Sequence, residues 1–331
     1  MLKQNDEIVG ERLDRLMTVE IRPLSGGLPA GYVAPMYAAC RRHHGLPLTT
    51  LAARKLMDAV KPGSTVLIAT GAGIAPKLPL GETDGPPGAA VLARALVLGF
   101  GVKAILVTED AHMPPVAAVA LVVNDELGGK GKVAVESFPM GAHMGQMAAE
   151  YLVREYSPTA VLFVERDGPN VEGHFHGVRG DCREPEQVAH VYQLAAVAKS
   201  RRILSVGIGD GGNEVGFGAV RDEISAVHPL RARCLRGCES GVVTTAATDV
   251  VVSASVSNWG AYAVAAALAS ALGRPELIHS PELERALIEA TVKAGARDGA
   301  TSLAECAVDG IDWQGHASFV GLLNSIVTVS R

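Results

Sequence analysis

The chain has 331 residues, 48% hydrophobic and 20% charged, a balance that lets a large core form without disulfide or metal staples. A net charge of −5, only 4% aromatics and no long Lys/Arg block argue against a nucleic-acid partner. The charged opening stretch MLKQNDEIVGERLDRL lacks the apolar core of a secretory signal, and no run of eighteen apolar residues occurs, so no membrane partner and a cytoplasmic location are expected.

Asn5–Val19 reads as a helix, and residues 1–60 as a helical N-terminal extension. Beyond it, short β-branched runs alternate with helical stretches. Strands are predicted at Thr65–Thr70, Lys103–Thr108, Lys132–Glu136, Ala160–Glu165, Ile203–Ile208 and Asp249–Ser253. Each is a nearly continuous apolar run, as a parallel strand buried on both faces requires. Helices are predicted at Gly88–Leu98, His143–Glu155, Pro185–Ser200 and Trp259–Leu272, with two more after Pro281 around a Val308-Asp309-Gly310 turn. The alternation predicts an α/β fold: a mostly parallel twisted sheet with helices on both faces, plus a smaller C-terminal α/β portion. With no linker or repeat visible, residues 1–331 read as a single domain, for which a homodimer is the default expectation.

Ligands of open α/β sheets bind beyond the carboxyl ends of the strands. The loops at those ends carry Glu82, Asp84, Glu165, Asp210 and Glu214. Carboxylates gathered in one cleft repel one another and need a cation, either a divalent metal such as Mn or Mg or a substrate ammonium. Asp84 and Asp210 also stand where helix N-caps are expected. Gly207, Gly209 and Gly212 have the G-x-G-x-x-G spacing, but Asp210 and Glu214 would oppose a pyrophosphate, so no nucleotide is expected. In the glycine-rich segment after the fourth strand, His174 and His176 point the same way if extended, fit for metal binding or proton transfer. Arg166 and Arg179 can clamp a substrate carboxylate or neutralise nearby acids. Arg231, Arg233 and Arg236 read as solvated surface. Cys234 and Cys238 have the spacing of half a zinc site, but the sequence shows no second pair of the right type nearby, so the five cysteines read as reduced thiols.

GDGGNE (209–214), SNWGAYA (257–263), the spacing from Glu165-Arg166 to Gly173, GETDGPPGAAVLARAL (81–96) and VDGIDWQGH (308–316) together resemble the C-terminal domain of the D-glutamate cyclase family. The resemblance runs from about residue 65 to the C-terminus and implies the stand-alone microbial form. It also implies conversion of D-glutamate to 5-oxo-D-proline with loss of water, and divalent-metal binding. His174, Phe175 and His176 depart from the animal pattern.

On that basis Asp210 or Glu214, then His176, is expected to take the ammonium proton. Glu82, Asp84, Asp210 and Glu214 are expected to supply metal ligands. The amides near Gly211 and Gly212 would assist at the oxyanion, His174 or His316 would protonate the departing oxygen, and Arg179 would hold the α-carboxylate. Asn213 or Asn258 would orient the amine, with Glu165 also at the substrate. The rival readings are another metal-dependent hydrolase or lyase acting on a related lactam or amino acid, and a non-catalytic amino-acid-binding protein.

Overall fold

The computed structural model describes residues 2–21, 28–230, 234 and 237–330; Arg231, Arg233 and Arg236 lie outside them. Three helices open the chain, α1 (Leu2–Met17), α2 (Val33–His44) and α3 (Leu48–Ala59). There follow β1 (Thr65–Thr70), α4 (Pro86–Phe100), β2 (Lys103–Glu109), α5 (Met113–Leu127), β3 (Val133–Phe138), α6 (Ala142–Tyr156) and β4 (Ala160–Val164). Two short strands, β5 (Phe175–His176) and β6 (Cys182–Arg183), precede α7 (Gln193–Ser200), β7 (Leu204–Gly209), α8 (Arg221–Val227), β8 (Val250–Ser253) and α9 (Ser257–Leu272). The chain closes with α10 (Pro281–Lys293), β9 (Ala307–Val308), β10 (Ile311–Asp312) and α11 (Trp313–Val329).

The six apolar runs form one parallel sheet in the order β3-β2-β1-β4-β7-β8. Strand residues alternate between faces. Val66 and Ile68 enter a core shared with α1, α3, α4, α5 and α9, while Leu67 and Ala69 enter a second core with α6 and α7. Helices therefore cover both faces, as the apolar runs predict. The C-terminal portion is the small α/β unit of α10, the β9–β10 hairpin and α11. Val9, Leu13 and Met17 of α1 lie in the larger core, so the N-terminal helices are tied into the main packing.

Most predicted boundaries shift by one to three residues, and two of the differences bear on the site. Only Gln193–Ser200 of the stretch 185–200 is α-helical, preceded by a single 3-10 turn at Pro185–Gln187. The intervening backbone is drawn into tertiary bonds: Val188 O accepts from Gly141 N at 2.9 Å, and Ala189 N donates to the Glu109 carboxylate at 3.0 Å. The fourth strand ends at Val164, because Glu165 turns into the left-handed region at φ 47°. The chain runs outward from β1 to β3 on one side and from β4 to β8 on the other. Between β1 and β4 lies the topological switch point, where the loops at the carboxyl edge part to leave a crevice.

Candidate active site

The loop after β1 and the start of α9 are locked by reciprocal capping. Asp84 Oδ1 accepts from Gly85 N (3.0 Å) and Asn258 N (2.8 Å), and Oδ2 accepts from Ser257 N (2.9 Å). In return Asn258 Oδ1 accepts from Gly85 N (3.0 Å) and Gly88 N (2.7 Å) at the start of α4, while its Nδ2 donates to Thr83 O. Asp84 thus caps α9, not the helix that follows it in sequence, and Asn258 caps α4. Gly88 is required here, since a Cβ at that position would stand 2.9 Å from Asn258 Cα. Ser257 is the first residue of α9, and its hydroxyl donates to Glu165 Oε2 at 2.5 Å.

The turn after β7 is built around Glu214. Its Oε1 accepts from Asp210 N (3.3 Å) and Gly211 N (2.8 Å), and its Oε2 from Gly212 N (2.8 Å). The amides of Gly211 and Gly212 are therefore engaged with Glu214. The glycines of the G-x-G-x-x-G spacing serve the returning chain: side chains at Gly207 and Gly209 would overlap Val215 and Glu214. Asn213 Nδ2 donates to Asp167 Oδ1 (3.3 Å) and His176 O (3.0 Å). That leaves Asn213 Oδ1 buried with no hydrogen-bond partner.

The third wall comes from the C-terminal portion. Thr83 N donates to Arg297 O at 3.0 Å and Arg297 N to Gly81 O at 3.2 Å, so residues 81–83 pair with the segment before the β9–β10 hairpin. Buried Asp298 accepts from Thr301 N and Gly310 N, both at 2.7 Å, and so holds the Asp309 turn in place.

These loops enclose a cleft of about 770 Å³ including its open mouth. Glu82, Asp84, Glu165, Asp210, Asp309, Asn213 and Arg179 line it, with Asp167 and Arg183 beside them and the Lys77–Asp181 ion pair (3.1 Å) also in the lining. Arg179 donates to Gly299 O (2.5 Å) and Ala300 O (3.4 Å) and makes no ion pair among the described residues.

Beneath the cleft lies a compensated charge network. Arg166 donates to Glu109 Oε2 (2.9 Å), Ala189 O (3.0 Å) and Gly71 O. Arg183 bonds Asp167 and donates to Gly73 O at 2.6 Å, and His112 stands 3.2 Å from Glu109. Burial alone would raise the Glu109 pKa, but Arg166, His112 and Arg183 outweigh it and hold the group down at about 2. Of the two alternatives for Arg166, the structure places it in neutralisation of a buried acid.

The cleft acids behave in the opposite way. Burial, then Asp309, Asp84, Asp167 and Asp210, push Glu82 well above the carboxylate range. Burial and the neighbouring acids likewise raise Asp84 and Glu165, against the amide bonds that favour the Asp84 anion. Burial raises Glu214 too, against its three backbone donors. Two carboxylate triads share Asp210: Asp84, Asp210 and Asp309, and Glu165, Asp210 and Glu214. Within each, ligand oxygens lie within 4.8 Å of one another. Such groups can hold a metal ion. Asp84 and Glu214 each use three of about four lone-pair sites on backbone amides, so one remains on each.

Of the residues singled out from the sequence, Glu82, Asp84, Glu165, Asp210, Asn213 and Arg179 converge in the cleft; Glu214, Gly211, Gly212 and Asn258 build its frame. His316 is fully buried between α9 and α11, accepting from Trp259 Nε1 at 2.8 Å and lying 3.2 Å from Val308 O, outside the cleft lining. His174 and His176 face a separate group of cysteines. Sequence reasoning missed Asp309, Arg183 and Asp167. For Asp309 the signal was the Asp-Gly turn itself, which in a two-residue hairpin must occupy positive φ and be held by a nearby acceptor.

The fold and cleft define an α/β protein with an acidic crevice at the switch point of its sheet. Residues 41–324 match the family described as D-glutamate cyclase-like, C-terminal, and the chain belongs to that family. Over 203 residues it is 29% identical to a Homo sapiens protein named D-glutamate cyclase, mitochondrial. The matched region is 56% of this chain but only 29% of that relative's length. No helix among the described residues is long and apolar enough to cross a membrane.

Proposed function

We propose that the chain is a hydro-lyase that converts D-glutamate into 5-oxo-D-proline and water. The observation that carries this reading is a single cleft lined by seven carboxylates, of which Asp167 pairs with Arg183 and Asp181 with Lys77, together with the Arg179 guanidinium, which has no acidic partner among the described residues. An α-amino acid brings matching charges: an ammonium for the acids and Asn213 Oδ1, and an α-carboxylate for Arg179. Held at its Cα end, the substrate reaches the reactive geometry when its γ-carboxylate turns back toward the nitrogen.

Ring closure forms the N–C bond and breaks a C–O bond, and the two protons the nitrogen loses end on the departing oxygen. A proton carrier with a raised pKa suits both halves of that transfer. Glu82 is the best placed, because it lines the cleft and its carboxylate makes no hydrogen bond or ion pair among the described residues. Glu165, fixed by Ser257, faces the same space. Asp84, Asp210 and Asp309 form an all-oxygen donor set suited to Mg or Mn and would hold a divalent cation. Bound there, the ion supplies Lewis-acid polarisation of the γ-carboxylate.

The test is to incubate metal-stripped protein with each glutamate isomer, add Mn or Mg, and follow 5-oxoproline by chiral chromatography. Product from the D isomer alone, dependent on the cation, is expected. A folded sample that forms none with either ion would overturn the reading and direct the search to a related lactam or amino acid. Arg179→Ala is expected to raise KM about tenfold to a hundredfold with a smaller change in kcat, the signature of a lost charged contact to the bound carboxylate.

A further inference from the structure

A second group of metal-ligating side chains lies outside the cleft. His176 Nε2 stands 3.1 Å from Cys238 Sγ, and the donor atoms of His176, Cys234 and Cys238 all lie within 4.8 Å of one another. His174 and Glu172 bring donors equally near the same Cys238 sulfur. We infer that His176, Cys234 and Cys238 form a binding site for zinc or a similarly soft divalent ion, with His174 and Glu172 beside Cys238 as candidates for the fourth donor.

The surroundings are built. Asn170 Oδ1 accepts from Glu172 N and His174 N, both at 3.0 Å, and its Nδ2 donates to Gly241 O at 2.8 Å, so one side chain fixes both approaching segments. Cys234 N donates to Cys238 O at 3.1 Å, and Gly237 stands at φ 97°. Cys234 packs with Cys182 and Val242 in a small apolar cluster, which keeps water from its sulfur, while Cys238 is half-buried at the edge. Nδ1 of His176 is buried without a hydrogen-bond partner, so the ring is held through its contact with Cys238.

In a tetrahedral zinc site with Zn–S near 2.3 Å and Zn–N near 2.0–2.1 Å, neighbouring donors sit roughly 3.5–3.8 Å apart, so only a small adjustment is needed. Thiolate and imidazole donors select zinc over the Mg or Mn that the carboxylate cleft would take. The site is independent of the proposed reaction, yet it adjoins it. His176 is followed directly by Gly177, Val178 and Arg179 in the cleft lining, and its carbonyl anchors Asn213. A bound ion would therefore tie Cys234 and Cys238 to β5 and to the turn after it that presents Arg179.

Cobalt(II) titration of the reduced, metal-stripped full chain tests this. One equivalent is expected to bind with thiolate-to-cobalt charge-transfer absorption, displaced by zinc and not by magnesium. Loss of an outer-shell partner alone weakens a site about 10- to 100-fold, so Cys238→Ser and His176→Ala are expected to weaken binding by about a hundredfold or more. Absence of the thiolate band from folded protein, or an unchanged band in both variants, would overturn the inference. Should the variants not fold, X-ray absorption of the zinc-loaded native chain decides: two sulfur neighbours uphold the site, and an oxygen-only shell removes it.

Discussion

Two charged regions meet at the switch point of the sheet, and they solve burial in opposite ways. In the network of Glu109, Arg166, Arg183 and Asp167, each acid has a guanidinium in contact and the main chain takes up remaining donors. In the cleft, Glu82, Asp84, Glu165, Asp210 and Asp309 crowd together, and the arginine beside them spends its donors on carbonyls. Buried charge that is neutralised internally holds structure; buried like charge crowded together destabilises the unliganded protein and is retained for something that binds.

Removing one member from each region should separate the two uses. Glu82→Gln is expected to lower turnover of D-glutamate about a thousandfold, within the usual range for losing a general acid or base, while the thermal midpoint holds or rises because one repelling charge is gone. Turnover within a few-fold of native would remove Glu82 from the chemistry. Arg166→Met should do the reverse in kind. It leaves Glu109 without its closest cation, and the Gly71 and Ala189 carbonyls without their donor, costing about 3–5 kcal/mol in urea denaturation. An unchanged midpoint would show that the network is not what holds the two loops together.

The sheet was legible because its strands are buried on both faces and so stay apolar throughout; the cleft was legible in outline because parallel strands bring their following loops to one edge. Glu82, Asp84, Glu165 and Asp210 were found that way. What could not be read was which partner each side chain chooses. Asp84 caps a helix 173 residues away in sequence, as its bond to Ser257 shows, and no local pattern encodes that. Asp309 reaches the cleft only because the 81–83 segment pairs with Arg297. His316 carries as strong a chemical signal as any histidine, yet Trp259 and Val308 absorb it. The H-x-H spacing marks His174 and His176 for metal binding or proton transfer, and the structure sets each of them beside Cys238. Their thiol partners lie across a fold that brings residues 176 and 238 together, which spacing along the chain does not reveal.

The contrast also predicts how stability varies with pH. Glu82, Asp84, Glu165 and Glu214 have raised pKa values in the folded chain, so the folded state binds protons more tightly than the unfolded one. Their favourable contribution is complete below the ordinary carboxylate range, about pH 4, and is lost as pH rises through the raised values. Glu109, held down at about 2, works the other way: its contribution is present above the ordinary range and fails only as pH falls toward 2. The cation-free protein should therefore be most stable under mildly acidic conditions and weaken toward neutral pH. Magnesium, which oxygen donors accept and thiolates do not, should reverse that loss, adding about 2.7 kcal/mol at a hundredfold excess over its dissociation constant. Thermal melts across the range from about pH 5 to 8, with and without magnesium, measure both effects, since the acids must ionise before the ion can replace their protons. A flat profile without the ion would mean that the cleft acids are compensated after all; a sloping profile that magnesium leaves unchanged would keep the repulsion and assign its relief to a substrate ammonium alone.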